Sequence, residues 1–127
     1  WHERPVFWFE IAPEGYSYGL GVYSPNPAQM TRFRKEIDER PNEILALAEE
    51  FDKQDRFFLE GDEYARKKGN PLPPLDKWYN RKSINFHCDR GLAKPFYSKR
   101  LVDEVVEGYN MLLPYYKYFA KLADRIE

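Results

Sequence analysis

The sequence predicts an α+β fold: an antiparallel β-sheet packed by amphipathic helices and closed by a long, kinked C-terminal helix. Three observations carry this reading. Two strand-like runs between Val6 and Tyr23 meet at Ala12-Pro13-Glu14-Gly15, where Pro suits the first corner of a turn and Gly its exit. Residues Ser83 to Cys88 alternate polar and apolar with the period of a half-buried strand. Three further stretches repeat apolar residues at helical spacing.

Pairing Ile11 with Tyr16 sets Phe9 opposite Tyr18 and Phe7 opposite Leu20, an aromatic and apolar face that belongs to the core. The other face puts Trp8 over Gly19 and Val6 over Gly21. Two glycines on one strand face require a large ring, a helix or a ligand close above them. After the hairpin, Asn26 is an N-cap and Pro27 the first helical residue, with Gln29 completing an approximate capping box. Met30, Phe33 and Ile37 then share one face of a helix over 27–39. Pro41-Asn42 interrupts it, and a second helix over 42–53 carries Ile44, Leu45, Leu47, Ala48 and Phe51 as its apolar stripe.

Phe57-Phe58-Leu59 belongs to a further strand, and the prolines between Lys68 and Pro74 make a loop. Asp76 caps a short turn through Trp78 and Tyr79. In the strand over 83–88, Ile84, Phe86 and Cys88 point inward while Ser83, Asn85 and His87 point outward. The last helix starts at Ser98 and presents Leu101, Val102, Val105, Tyr109, Leu112 and Leu113 to the core, with Pro114 kinking it. Phe7, Phe9, Leu20, Ile84, Phe86, Val105 and Leu112 are expected to be buried together. From Tyr115 to Ile126 that helix is apolar on nearly every side, so Tyr115, Tyr118 and Leu122 are expected to pack on an upstream segment, a second copy of the chain or a different protein.

At 127 residues the chain is one domain, and its 17% aromatic content lets a small sheet bury much area per residue. It starts at Trp1 and soon enters a strand, as expected of the C-terminal part of a longer single-domain protein. One cysteine, Cys88, excludes an internal disulfide framework and fits a reducing compartment. With no signal peptide or long apolar run, the expectation is a cytoplasmic protein without a membrane partner. The net charge of −1 conceals a balance of +8 over residues 66–100. A segment this basic is suited to face an anion. Arg81, Lys82, Ser83, Asn85 and His87 are accordingly the candidate ligand-binding residues.

Other chemistries are poorly supported. Gly19-x-Gly21-x-x-Ser24 lacks the third glycine of a dinucleotide site and no βαβ unit surrounds it. His87 and Cys88 are adjacent in a strand, so they face opposite ways and cannot form a nucleophile–base pair. His2 and His87 are the two histidines, and no zinc or calcium spacing occurs, so no metal site is expected and no motif names a cofactor. The tyrosines of the last helix are spaced for packing, and its acidic start would repel a phosphate backbone, which argues against nucleic acid.

Gly19-Leu20-Gly21-Val22-Tyr23-Ser24-Pro25-Asn26-Pro27, with the Met30/Phe33/Ile37 helix after it, resembles the central signature of a bacterial domain-of-unknown-function family, number twenty-four sixty-one. Arg81-Lys82-Ser83 leading into a strand and Leu112-Leu113-Pro114 in a closing helix sit where that family has similar residues. The resemblance implies the fold and an upstream helical segment with an Arg- and Lys-rich strand. It brings no catalytic residues with it. Three function classes follow: a binding module for a small anionic ligand or a protein partner; an enzyme acting on a phosphorylated or other anionic substrate, its site completed by an N-terminal segment; and an interaction protein using its aromatic last helix.

Overall fold

Four strands form one antiparallel sheet: β1 (Val6–Ala12), β2 (Gly15–Val22), β3 (Phe58–Glu60) and β4 (Ile84–Gly91), in the spatial order β1-β2-β4-β3. The helices are α1 (Pro27–Glu39), α2 (Pro41–Phe51), α3 (Asp76–Tyr79) and α4 (Lys99–Asp124). The computed structural model describes residues 4–22, 27–91 and 99–124. The expected N-cap at Asn26, the helix start at Ser98 and the end of the apolar run at Ile126 lie outside them. The architecture is α+β, and among the described residues no helix is long and apolar enough to cross a membrane.

The hairpin adopts the register that its residue pattern dictates: Phe7 pairs with Leu20, Trp8 with Gly19, Phe9 with Tyr18 and Ile11 with Tyr16. Pro13 and Glu14 make the turn, and Ala12 pairs with Gly15. A Cβ on Gly15 would collide with the carbonyl oxygen of Arg90 on β4, so the turn's exit is also where neighbouring backbones approach closely. On the central pair, Tyr18 lies opposite Cys88, Gly19 opposite His87 and Leu20 opposite Phe86.

All four helices gather on one face of the sheet. Tyr18, Leu20, Ile84, Phe86 and Cys88 from the two central strands are fully buried against them. Phe86 is the hub. Its ring centroid lies 5.1 Å from Tyr115 and 6.4 Å from Phe119 on α4, and 5.5 Å from both Phe51 on α2 and Trp78 on α3. Met30, Phe33 and Ile37 of α1 and Ile44, Ala48 and Phe51 of α2 complete the core on the faces their periodicity assigns. The second helix opens at Pro41 itself, since proline has no amide hydrogen to lose in a first turn. It ends at Phe51, short of Lys53, where the Asp52 N–H donates to the Ala48 carbonyl at 3.1 Å.

One expectation is corrected. Phe9 has the register of a core residue but is 41% exposed. It stands on an edge strand, and α4 reaches that strand at Phe7, whose ring lies 4.7 Å from Tyr109 and 5.3 Å from Tyr116. Phe9 is left against Tyr16, at 5.8 Å. The last helix, α4, runs on through Pro114. Tyr115, Tyr118 and Leu122 are buried against other residues of the chain. Tyr115 packs on Phe51 and Trp78 and donates its hydroxyl to the Leu47 carbonyl at 3.0 Å, while Tyr118 and Phe119 meet Phe33 of α1. The second surface implied by an all-round apolar helix is provided by α1 and α2.

Candidate functional site

The pleat divides the candidate residues. Within β4, alternation sends Asn85 and His87 to the helix-free face, while Lys82 and Ser83 lie in the bend before the strand begins. Arg81 serves neither group. Its Nε donates to the Lys77 carbonyl at 2.9 Å, its Nη1 donates to the Gly61 carbonyl, and Glu63 lies 4.0 Å away. With a side chain only 15% exposed, Arg81 ties α3 to the segment after β3 instead of reaching into solvent.

Lys82 joins a cluster that no short motif marks. Its ammonium lies 5.9 Å from the centre of the Tyr64 ring, with Lys68 at 4.7 Å and the Arg34 guanidinium of α1 at 5.2 Å. Asn80, buried to 7% exposure, holds this arrangement together. Its Oδ1 accepts from the backbone N–H groups of Lys68 (2.8 Å) and Gly69 (3.3 Å), and its Nδ2 donates to the carbonyls of Gly69 (3.2 Å) and Asp76 (3.1 Å). Backbone bonds from Tyr64 N–H to Asn80 O (3.0 Å) and from Lys82 N–H to Asp62 O (2.6 Å) strap the same two segments together. None of Arg34, Lys68 and Lys82 has a carboxylate at ion-pair distance among the described residues.

The helix-free face is built in rows across the strands. One row reads Trp8, Gly19, His87, Phe58 from β1 to β3; a second reads Val6, Gly21, Asn85, Glu60; a third reads Glu10, Ser17, Asp89. A Cβ on Gly19 would collide with the Phe86 carbonyl oxygen and sit 3.3 Å from the Trp8 ring, so the glycine is what lets the indole fold down beside His87. The indole and imidazole centroids are 5.0 Å apart, edge on, and Phe58 stacks on the imidazole from the other side at 5.0 Å.

A continuous hydrogen-bonded chain crosses all four strands. Trp8 Nε1–H donates to Asn85 Oδ1 (3.0 Å), and Asn85 Nδ2 donates to Glu60 Oε1 (3.2 Å), which also meets His87 Nδ1 (3.0 Å). His87 Nε2 meets Asp89 Oδ1 (2.7 Å), which accepts from the Ser17 hydroxyl at 2.7 Å as well. A ring facing a carboxylate at each nitrogen donates to both only when doubly protonated. The hydrogen bond from Ser17, then the one from His87, hold the Asp89 carboxyl below the usual range. Glu60, Asp89, Ser17 and Trp8 are site residues that strand periodicity alone misses, because their convergence depends on which strands pair.

Cys88 points into the core, away from His87, as the alternation requires. Burial pushes its thiol up, the Tyr18 hydroxyl bond acting in the opposite sense, so it is a packing residue and not an activated nucleophile. Tyr18 itself donates to Glu104 of α4; burial first, and that bond next, raise it well above the usual phenol range. Among the described residues no group of three or more His, Cys, Asp and Glu side chains is placed to hold a metal ion.

Compared with known proteins, residues 1–118 match the family model described as conserved hypothetical protein (DUF2461). No curated protein and no solved structure matches the chain.

Proposed function

We propose, for a chain that belongs to the conserved hypothetical protein family DUF2461, a binding module that takes a small anionic ligand at the cluster of Arg34, Lys68 and Lys82 around Tyr64. The observation that carries this reading is the convergence of three cations on one ring without a carboxylate counterion among the described residues. The ring's quadrupole offsets part of their mutual repulsion, roughly 0.5–1 kcal/mol per exposed contact. A phosphate or carboxylate would offset the rest, with Arg34 supplying a planar fork and the lysines point charges. The strapping of residues 62–69 across Asn80 and Lys82 fixes two of the three cations before a ligand arrives, which lowers the entropic cost of binding.

The enzyme alternative uses His87 as acid or base towards an anionic substrate. Both nitrogens of that ring already meet carboxylates, and the three cations gather around Tyr64 instead of around His87. Binding accounts for the arrangement better than proton transfer does. Calorimetric titration with inorganic pyrophosphate tests it: binding should be saturable, weaken with added salt, and fall roughly tenfold or more in Lys68→Glu/Lys82→Glu, about 1.4 kcal/mol. The melting temperature should hardly move. Undiminished affinity in that variant, or no binding by the parent chain, would remove the cluster from consideration.

A further inference from the structure

The helix-free face carries a second chemistry, opposite in sign to the first and independent of it. Its donors are mostly engaged. The Trp8 N–H, one hydrogen of the Asn85 amide and the Ser17 hydroxyl each meet an acceptor on the face itself, and both His87 nitrogens face carboxylates. Its acceptors are not. Glu60 Oε2 and Asp89 Oδ2 have no hydrogen-bond partner among the described residues, and the register brings exposed Glu10 to the same face beside Ser17. Between these carboxylates runs the row of rings. Phe58 lies on His87 yet is 45% exposed, so it still offers surface to a ligand.

A surface with acceptors to spare, few donors to offer and aromatic rings at its centre selects a ligand of the complementary kind, rich in donors and poor in acceptors, carrying positive charge over an apolar body. We infer that the face formed by Trp8, Phe58, Glu60, His87 and Asp89 binds a small organic cation, an alkylammonium whose N–H groups reach Glu60 and Asp89 while its carbon chain lies along the Trp8–His87–Phe58 row. Carboxylates supply charge-assisted acceptors, and tryptophan and phenylalanine attract the cation through their ring faces. A neutral sugar would need donors as well as acceptors from the protein. An anion would meet up to three carboxylates.

The test uses the whole chain and 1,4-diaminobutane, followed by NMR at the Trp8 indole N–H, which Trp8→Phe identifies, and by calorimetry. Saturable binding at one site is expected, with the Trp8 signal shifting along the same curve. Glu60→Gln/Asp89→Asn should weaken it roughly tenfold or more, and Phe58→Leu several-fold. The melting temperature and the dispersion of the amide NMR spectrum are measured for each variant alongside, and show that its fold is intact. If that double variant does not fold, Asp89→Asn and Phe58→Leu singly carry the test. Absence of saturable binding, full affinity in the charge variants, or equal binding of methyl glucoside would overturn the inference. Diamine binding should also survive Lys68→Glu/Lys82→Glu, so the two sites stand or fall separately.

Discussion

The two faces of this sheet share every backbone hydrogen bond and differ in everything else. On the covered face, Tyr18, Leu20, Ile84, Phe86 and Cys88 meet helices by volume, and removing a group leaves a hole. On the open face, Trp8, Ser17, Asn85, His87 and Asp89 meet one another by direction, and removing a group leaves neighbours that water can reach. The stability of the fold therefore resides on the covered face, and the open face is where substitutions are tolerated.

The sharpest break of that contrast is a pair of ring deletions. Phe86→Ala should cost about 3–5 kcal/mol in urea unfolding, since its ring is the hub of the core. Phe58→Ala on the other face should cost under about 1 kcal/mol. Equal losses would abolish the distinction. Gly19→Ala comes next, because Gly19 belongs to the open face while its added methyl would strike the Phe86 carbonyl. A loss of about 2 kcal/mol is expected, as for overpacking in a core. A neutral outcome would show that the central strands can move apart.

Smaller effects appear through pH. Burial, then the charges of Glu50 and Asp52, push the Tyr115 phenol up to about 12 from its ordinary 10.0. A raised phenol favours the fold in full below its ordinary value, and that contribution disappears as pH climbs from 10.0 towards 12. Tyr115→Phe should flatten the alkaline limb of stability against pH while costing about 1 kcal/mol at neutrality for the bond to the Leu47 carbonyl. The smallest effect belongs to the open face. The depressed Asp89 carboxyl contributes above its ordinary value of 3.8 and ceases to contribute as pH falls through the lowered one. Its side chain is well exposed, so solvent screens most of this. Asp89→Asn should alter the acid limb only slightly, and a large change would mean that the open face is also structural.

How much of this was legible in the sequence follows the same division. Local pattern suffices for the hairpin, where one turn fixes the register of Phe7, Trp8 and Phe9, and for β4, where period-two alternation is unbroken. It suffices for α1, whose 27–39 span has a proline at its start. It fails for burial at Phe9, because being on an edge depends on strand order. Nor does counting apolar sides along α4 show which elements meet them: α1 and α2 of the same chain do. Alternation suffices to put Asn85 and His87 on one face, yet Glu60 comes from a strand of three residues, Phe58–Glu60, too short to show a period. Arg34 and Tyr64 lie far from Lys82 along the chain, and nothing but tertiary contact brings them together.

Asn80 gives the loop carrying Lys68 a clock of its own. Its buried side chain is the acceptor for the amide protons of both Lys68 and Gly69. Neither proton can exchange with solvent until that one amide group lets go, so the two should exchange together at a single opening rate, uncoupled from the slow protons of β2 and β4. Opening would carry Lys68 away from Tyr64 while leaving Arg34 on α1 in place. The cluster would thus alternate between a gathered and a dispersed state at a frequency set by one asparagine, and an anion holding Lys68 in place would slow the exchange of both protons alike.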